Sequence, residues 1–479
     1  MGNLSRRLFL QETLLASAAT AIGSSHLIAD AAAESSKQSK SPNEKLSVAV
    51  IGVRSRGNAH AKAFAGRDDC VLSYICDADE AVGQKVAASY DSKPKFVQDI
   101  RRVLDDKSVD IISIATPNHW HALGAIWAMQ AGKDVYVEKP VSHNVAEGRR
   151  MVQAARKHNR VCQAGTQYRS SGANKAAAKY IQSGKLGDIT LIRVCTYRGR
   201  TSIGPAGQYE VPKSVDYNLW AGPAPMENPV RRKTFHYDWH WFWNYGGGDL
   251  ANNSIHGVDA VRMVSGLKGL GRRVMSYGAR VGIDDSAETP STQVAIHDFG
   301  PTTLIQELRN LKTASPTRGA QLIVGTKGYL AGATVYDLDG KVVEKLKADK
   351  SDDHFANFLD GVRSRKREDL NADIEEGHIS TSVVHLANIS QRLGKPATPD
   401  AIEQVMKDPS LNPDAAETFA AIRKHLEENK VDIEKTPLAI GPWLTIDSDK
   451  ETFVDNPAAT AMLSREGRKP FVIPTEAQL

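Results

Sequence analysis

Gly52-Val53-Arg54-Ser55-Arg56-Gly57 stands directly after an apolar run, Leu46–Ile51, and before a helix-forming stretch that runs through Ala65. This is where a dinucleotide fingerprint belongs, and its outer glycines are in place. Arg54 occupies the position of the usual middle glycine, whose role is to let the backbone approach a pyrophosphate. A guanidinium there can replace the lost contact with a charge-assisted bond to phosphate, with Arg56 a weaker candidate for the same task. A plain strand-to-helix turn with a solvated arginine is the alternative. Asp77 follows Gly57 by 20 residues, at the end of a second apolar run, Val71–Cys76. A carboxylate so placed accepts hydrogen bonds from ribose hydroxyls and repels a 2′-phosphate, which points to NAD rather than NADP. Glu138-Lys139-Pro140 ends the run Val135–Val137, and Thr116-Pro117-Asn118-His119-Trp120-His121 ends Ile111–Ala115. Both motifs fall at the carboxyl edge of strands, where open parallel sheets bind ligands.

The elements that must hold these groups follow from the alternation of short apolar runs with helical segments such as Ala122–Gln130. That pattern predicts an α/β N-terminal half, a doubly wound Rossmann sheet over residues 45–166 with helices on both faces. Ile189–Tyr197, Thr292–Phe299, Thr303–Leu308 and Gln321–Val324 read as strands of a C-terminal α+β domain over residues 167–395, with a mostly antiparallel open sheet. One face of that sheet is free to pack on another subunit, so a homo-oligomer is expected. Ile374–Leu393 reads as a helix packing back near the first domain. Residues 396–479, helical at Glu417–Glu427 and then punctuated by proline, form an extension that wraps the core or a neighbour.

The motif pair E-K-P and T-P-N-x-x-H resembles the glucose–fructose oxidoreductase, inositol dehydrogenase and rhizopine-catabolism (Gfo/Idh/MocA) family, over about Leu46 to Leu393. The resemblance implies that Lys139 contacts both substrate and nicotinamide ribose, and that the Lys139–Pro140 bond is cis. It also places Thr116, Pro117, Asn118, His121 and Glu138 in the cofactor site beside Gly52, Arg54, Gly57 and Asp77. A second landmark is Gly246-Gly247-Gly248-Asp249-Leu250-Ala251-Asn252-Asn253-Ser254-Ile255-His256. By resemblance it leads into a helix bearing a catalytic histidine, His256; a core histidine is the alternative. Asn252, four residues before His256 and on the same helical face, stands where the family commonly has Asp. An imidazole near its ordinary pKa can take an alcohol proton while hydride leaves the same carbon, although here it lacks a carboxylate neighbour.

On the substrate side, Gln167 and Arg169 follow a strand at Val161–Gly165 and reach substrate hydroxyls or a carboxylate, unless Arg169 is a surface residue. The aromatic tract His236–Tyr245, with Trp241 and Tyr245, suits the apolar faces of a sugar ring, or else forms a rigid packed loop. His-x-Asp-x-His at His236–His240 and His-x-His at His119–His121 invite a metal reading. Nicotinamide redox needs no metal, and aromatic crowding disfavours an open coordination shell, so none is expected.

With 479 residues, 41% hydrophobic, and a net charge of +5, the chain can bury a large core and presents no nucleic-acid-binding signature. No apolar run is long enough to span a bilayer. Its four cysteines show no metal spacing and read as buried thiols. Ser5-Arg6-Arg7-Leu8-Phe9-Leu10, the apolar stretch Thr13–Ile28 and Ala31-Ala32-Ala33 compose a twin-arginine signal peptide over residues 1–33, with a polar linker at 34–44. The expected location is periplasmic or extracellular. The expected activity is reversible alcohol–ketone oxidoreduction of a sugar or polyol with firmly held NAD. An NAD-dependent glycoside hydrolase or lyase, working by transient oxidation, elimination and re-reduction, is the alternative. A non-catalytic binder is disfavoured by the presence of Lys139 and His256.

Overall fold

The computed structural model describes residues 45–227, 230–313 and 320–479; the signal and linker expected at residues 1–44 lie outside them. The first half is built from β1 (Leu46–Ile51), α1 (Arg56–Ala65), β2 (Cys70–Cys76), α2 (Glu80–Ala87), β3 (Lys95–Val97), α3 (Ile100–Leu104), β4 (Ile111–Ile114), α4 (Asn118–Gln130), β5 (Asp134–Val137), α5 (Val145–Lys157) and β6 (Cys162–Ala164). Its six strands run in the order β3-β2-β1-β4-β5-β6, all paired in parallel. This is the Rossmann sheet anticipated, and Val48, Ala49, Val50, Ile111 and Ile112 are wholly buried, as strands covered on both faces require. All four cysteines lie buried and unpaired.

After α6 (Gly172–Gln182) the chain enters a second sheet through β7 (Ile189–Tyr197). A long excursion containing α7 (Tyr217–Ala221) leads to a π-helical turn, Leu250–Ser254, and α8 (Ile255–Ser265). The sheet continues with β8 (Arg273–Ala279), β9 (Thr292–Asp298), β10 (Thr303–Arg309), β11 (Ala320–Gly325), β12 (Gly328–Ala331), β13 (Thr334–Tyr336) and β14 (Val342–Lys345). Only β7 and β10 pair in parallel; the other ladders are antiparallel. α9 (His354–Ser364) and α10 (Ile374–Arg392) follow, and α10 lies between the two sheets, packing on α5 and β8. Gly377 makes this approach possible, since a Cβ there would stand 2.5 Å from the Ala164 Cβ. Among the described residues no helix is long and apolar enough to cross a membrane.

The face expected to await a second subunit is covered by the chain itself. Along β9, Ala295 points to one core with α8 and α10, while Val294 and Ile296 point to the other face. There they meet Ile402 and Met406 of α11 (Pro399–Met406) and Phe419, Ile422 and Leu426 of α12 (Asp414–Glu428). The extension also adds β15 (Lys395–Ala397), β16 (Leu438–Ile440) and β17 (Leu444–Asp447) to the sheet beyond β8. Its last residues return to the Rossmann half, where Phe471 meets Trp120 edge-on at 5.5 Å.

Phe419, 1% exposed and 5.6 Å from the Tyr277 ring, anchors the covering helices. Phe419→Ala should cost ~3–5 kcal/mol of stability, as aromatic-to-alanine changes in a packed core do. Urea unfolding of the full chain measures it; a loss below ~1 kcal/mol would show that α12 does not cap this face.

Candidate functional site

The fingerprint turn closes on its two glycines for steric reasons. Gly52 has φ of +77°, and a Cβ on it would stand 2.8 Å from the Thr116 backbone. A Cβ on Gly57 would meet the Gly52 carbonyl oxygen at 1.7 Å, so α1 starts hard against the end of β1. Asp77 pins the turn from β2: its carboxylate accepts from the Val53 N–H at 2.8 Å and the Asp79 N–H at 2.9 Å. Burial raises the Asp77 carboxyl above its usual value, with those two donors opposing. In front of these residues lies a cleft of about 1240 Å³, its open mouth included, lined by Gly52, Arg54, Asp77, Thr116, Asn118 and Lys139 among others. Its size, the glycine cradle and a buried Thr116 hydroxyl without a partner fit a dinucleotide laid across the carboxyl edge. Arg54 is exposed on the cleft wall. Pro117 and Asn118 begin α4 at the same edge.

Arg56 also lines the cleft, with its guanidinium turned to Glu138. It donates to Glu138 at 2.6 Å, and the same Glu138 oxygen meets His60 Nε2 at 3.0 Å, while His60 Nδ1 meets the Ser113 hydroxyl at 2.9 Å. The other Glu138 oxygen accepts from the Lys139 N–H at 3.3 Å. Burial alone would raise the Glu138 carboxyl, but the hydrogen bond from His60 and the charge of Arg56 outweigh it and hold the group well below its usual range. Glu138 lines the cleft while both its oxygens are engaged by protein, so its part is to set the turn and Lys139 relative to each other. The sequence carried two signals of this network that its reading did not use. Arg56 and His60 are four apart on one face of α1, and Ser113 is the sole polar residue in Ile111–Ile114.

Lys139 projects into the cleft, where its ammonium donates to the Asn252 carbonyl at 2.8 Å and the Asn252 side-chain oxygen at 3.2 Å. The Lys139–Pro140 peptide is cis. Burial lowers the Lys139 pKa, with Glu138 opposing. Asn252 sits in the π-helical turn, whose wider winding frees its carbonyl for the lysine; α-helical spacing from Asn252 to His256 therefore does not hold. His256 opens α8, its ring tilted against Tyr168 at 5.1 Å, and its buried Nδ1 has no partner among the described residues. Burial, reinforced by the Lys139 charge, pushes its pKa down to about 3. His121 does not present its nitrogens to the cleft. They meet the Pro140 carbonyl at 2.7 Å and the Thr116 carbonyl at 2.8 Å, tying the two motif loops together.

The substrate-side residues are largely displaced from their expected roles. Arg169 is buried and committed to Asp259, at 2.8 and 2.9 Å, and to Glu376 at 3.1 Å. Gln167 turns its amide nitrogen to the Gly165 carbonyl at 2.9 Å and its oxygen to Arg56. Trp241 lies under the Arg200 guanidinium at 5.0 Å. Tyr245 is fully buried, 4.8 Å from the Arg232 guanidinium, and donates to the Pro225 carbonyl at 3.2 Å. The aromatic tract reaches the cleft instead through His236, Tyr237, Trp239 and His240, joined by Leu219 and Trp220 of α7. The histidines of the two His-rich motifs point apart: His119 to the Trp220 carbonyl, His236 to Asp79 and His240 to the Tyr237 carbonyl.

Comparison with known proteins agrees with this geometry. Residues 46–166 match the family model of an oxidoreductase family with an NAD-binding Rossmann fold, and residues 193–422 match the C-terminal alpha/beta domain of the same Gfo/Idh/MocA family. The chain belongs to this family. A levoglucosan dehydrogenase of Pseudarthrobacter phenanthrenivorans is 31% identical over 164 residues, 33% of this chain and 40% of that protein. A glycosyl hydrolase family 109 protein of Shewanella pealeana is 32% identical over 130 residues, 25% of this chain and 28% of that protein. The chain thus spans less than half the length of these curated relatives. The fold is similar to that of the WlbA dehydrogenase from Bordetella pertussis, solved with NADH and UDP-GlcNAcA, at a TM-score of 0.56 and 21% identity, covering 73% of this chain and 96% of that one.

Glu138→Ala would leave the Arg56 guanidinium without its carboxylate beside a buried His60. Because the Arg56 side chain is 39% exposed and water can replace the carboxylate there, the loss should come mainly from the stranded, buried His60 nitrogen, and we expect a drop of ~1–3 kcal/mol in denaturant unfolding. An unchanged midpoint would mean that the Arg56–Glu138 pair contributes nothing net.

Proposed function

We propose that this protein is an NAD-dependent oxidoreductase that interconverts a CH–OH carbon and a ketone on a sugar or polyol. The observation that carries the reading is Lys139, held by Asn252 in the cleft whose other end is the fingerprint turn and Asp77. Asp77 favours NAD by offering its carboxylate to the ribose hydroxyls. A nicotinamide held there would supply the hydride acceptor for a carbinol carbon. The chain's own groups orient the alcohol and handle its proton. Of the three donors of an ammonium, Lys139 directs two at Asn252, leaving one for a substrate oxygen. His256, which burial keeps neutral at ordinary pH and whose Nδ1 has no partner among the described residues, is the proposed acceptor of the hydroxyl proton. A carbohydrate substrate is supported by the levoglucosan dehydrogenase match. We further propose export by the twin-arginine route, on the strength of Ser5–Leu10 and the residues that follow. Outside the cytoplasm dinucleotide is scarce, so the cofactor would travel with the folded enzyme.

A second reading, redox-neutral glycoside cleavage, is favoured by the family 109 glycosyl hydrolase match. The two separate on one measurement. Net formation of NADH and a keto sugar from added NAD and substrate supports the first; aglycone release with no net change in bound NAD supports the second.

Lys139→Ala should lower kcat by ~10²–10⁴-fold with bound NAD largely retained, since the side chain faces the reacting end of the cleft. Near-wild-type turnover removes Lys139 from the mechanism. The pH profile tests His256 separately. With a pKa of about 3, its imidazole stays unprotonated down to roughly pH 4, so kcat/KM for alcohol oxidation should show no acid limb near pH 6.5. An acid limb with its midpoint close to 6.5 that vanishes in His256→Gln would contradict the depressed value.

A further inference from the structure

The histidines that line the cleft are used differently by the protein around them. His121 gives both ring nitrogens to carbonyls, those of Pro140 and Thr116. His236 turns its Nε2 to the Asp79 carboxylate at 2.8 Å. His240 meets the Tyr237 carbonyl through Nδ1 at 2.6 Å, and its Nε2 makes no hydrogen bond among the described residues. A carbonyl can only accept, so Nδ1 carries the proton and Nε2 keeps its lone pair. Burial pushes the His240 pKa down to about 4, with the Tyr237 carbonyl opposing and the Lys139 charge assisting, so the ring is neutral at ordinary pH.

The ring is held still as well as neutral. It sits in the one-turn 3₁₀ segment Asp238–Trp241, with Trp239 stacked on it at 3.7 Å between centroids and Tyr237 tilted against it at 4.9 Å. A Cβ on Gly246 would stand 2.7 Å from the His240 carbonyl oxygen, so the first glycine of the run lets the chain that leads to Asn252 close against His240. The Glu288 N–H donates to the Trp241 carbonyl at 2.9 Å, and the Glu288 carboxylate accepts from the Trp243 N–H at 2.8 Å, which pins the segment that follows. His240 thus presents a fixed, unused acceptor on the wall of the cleft that Lys139 and Asn252 also line. Lys139 brings donors alone, and the Asn252 oxygens are engaged by it. A second substrate hydroxyl at this end of the cleft has a proton to donate, and Nε2 is placed to accept it.

We propose that His240 is a substrate-recognition residue whose Nε2 accepts a hydrogen bond from the hydroxyl on the carbon next to the one oxidised, so that the protein selects a vicinal diol over an isolated alcohol. This rests on the reading that the cleft oxidises a sugar or polyol. The reacting hydroxyl meets Lys139 and its neighbour meets His240, which holds the carbon skeleton at two points. His240 forms and breaks no covalent bond; its part is to orient the substrate and to reject those that lack the second hydroxyl.

The test uses the full-length, cofactor-loaded protein with levoglucosan, D-glucose and myo-inositol as probes. The carbon oxidised is read from the keto product, and Kd is measured by tryptophan fluorescence for the best probe and its monodeoxy analogues. In wild type, an analogue lacking a hydroxyl beside the oxidised carbon should bind about ten- to hundredfold more weakly than the parent, because the Nε2 acceptor is then left unsatisfied. In His240→Phe the parent and that analogue should bind within about threefold of each other, and His240→Gln, whose Oε1 can stand in for Nε2, should restore the preference. A role in packing alone would weaken both ligands equally in His240→Phe and leave the wild-type ratio intact, which would overturn the proposal, as would a wild type indifferent to the deoxy change. Failure of wild type to bind or oxidise any of the three probes would instead overturn the sugar-or-polyol reading beneath it.

Discussion

Removing an ionised carboxylate from water costs several kcal/mol unless charges and donors replace the lost hydration. Glu138, 4% exposed at the end of β5, imposes that requirement on everything around it. Its partners come from different elements: Arg56 and His60 from α1, and through His60 the hydroxyl of Ser113 in β4. Satisfying one carboxylate therefore fixes the start of α1 against the central strands, and with it the turn that faces the cofactor phosphates. The residue after Glu138 is Lys139, so the same ion pair fixes where the cleft's ammonium begins. The fingerprint turn and Lys139 thus share one buried charge, to which Asp77 adds its hold on the turn and Asn252 its hold on the ammonium.

The opposite wall is set by Asn252. An α-helix would bind that carbonyl internally, whereas the π-helical turn releases it to Lys139. The second domain is in turn held to the first by α10 and by the tail. Glu451 reaches His378 at 2.9 Å and joins Arg149 of α5, and Arg465 donates to the Asn244 carbonyl at 2.8 Å. Most of these contacts involve residues after 395, so the extension is part of the frame that keeps the two walls of the cleft apart by a fixed distance.

The Rossmann half was legible because its strands are short, mostly apolar runs and each motif ends one. Lys139, Asp77 and the two glycines of the turn could be placed at the cleft for that reason. Where the backbone is irregular, spacing does not say which way a side chain turns. Arg169 leaves a one-turn 3₁₀ segment and finds Asp259, which lies 90 positions away in sequence. Trp241 and Tyr245 belong to a tract whose alternation follows neither strand nor helix, and packing against Arg200 and Arg232 decided their direction. The strands from β12 to β14, four residues or fewer each, are too short for a period to register. Whether the extension or a neighbour covers the second sheet face stays open in sequence for another reason: an apolar face shows there, but not what covers it.

Asn rather than a carboxylate at position 252 has an electrostatic consequence that fits the rest of the site. A carboxylate against the Lys139 ammonium would stabilise its charge and raise its pKa. An amide gives the lysine the same hydrogen bond without the charge, so burial prevails and the pKa falls, with Glu138 opposing. The lowered lysine and the depressed His256 then share one cause, a dry pocket whose nearest partners are carbonyls and amides. The carboxylate that the site does contain, Glu138, is turned away towards Arg56 and His60, where it shapes the cleft without neutralising the lysine directly.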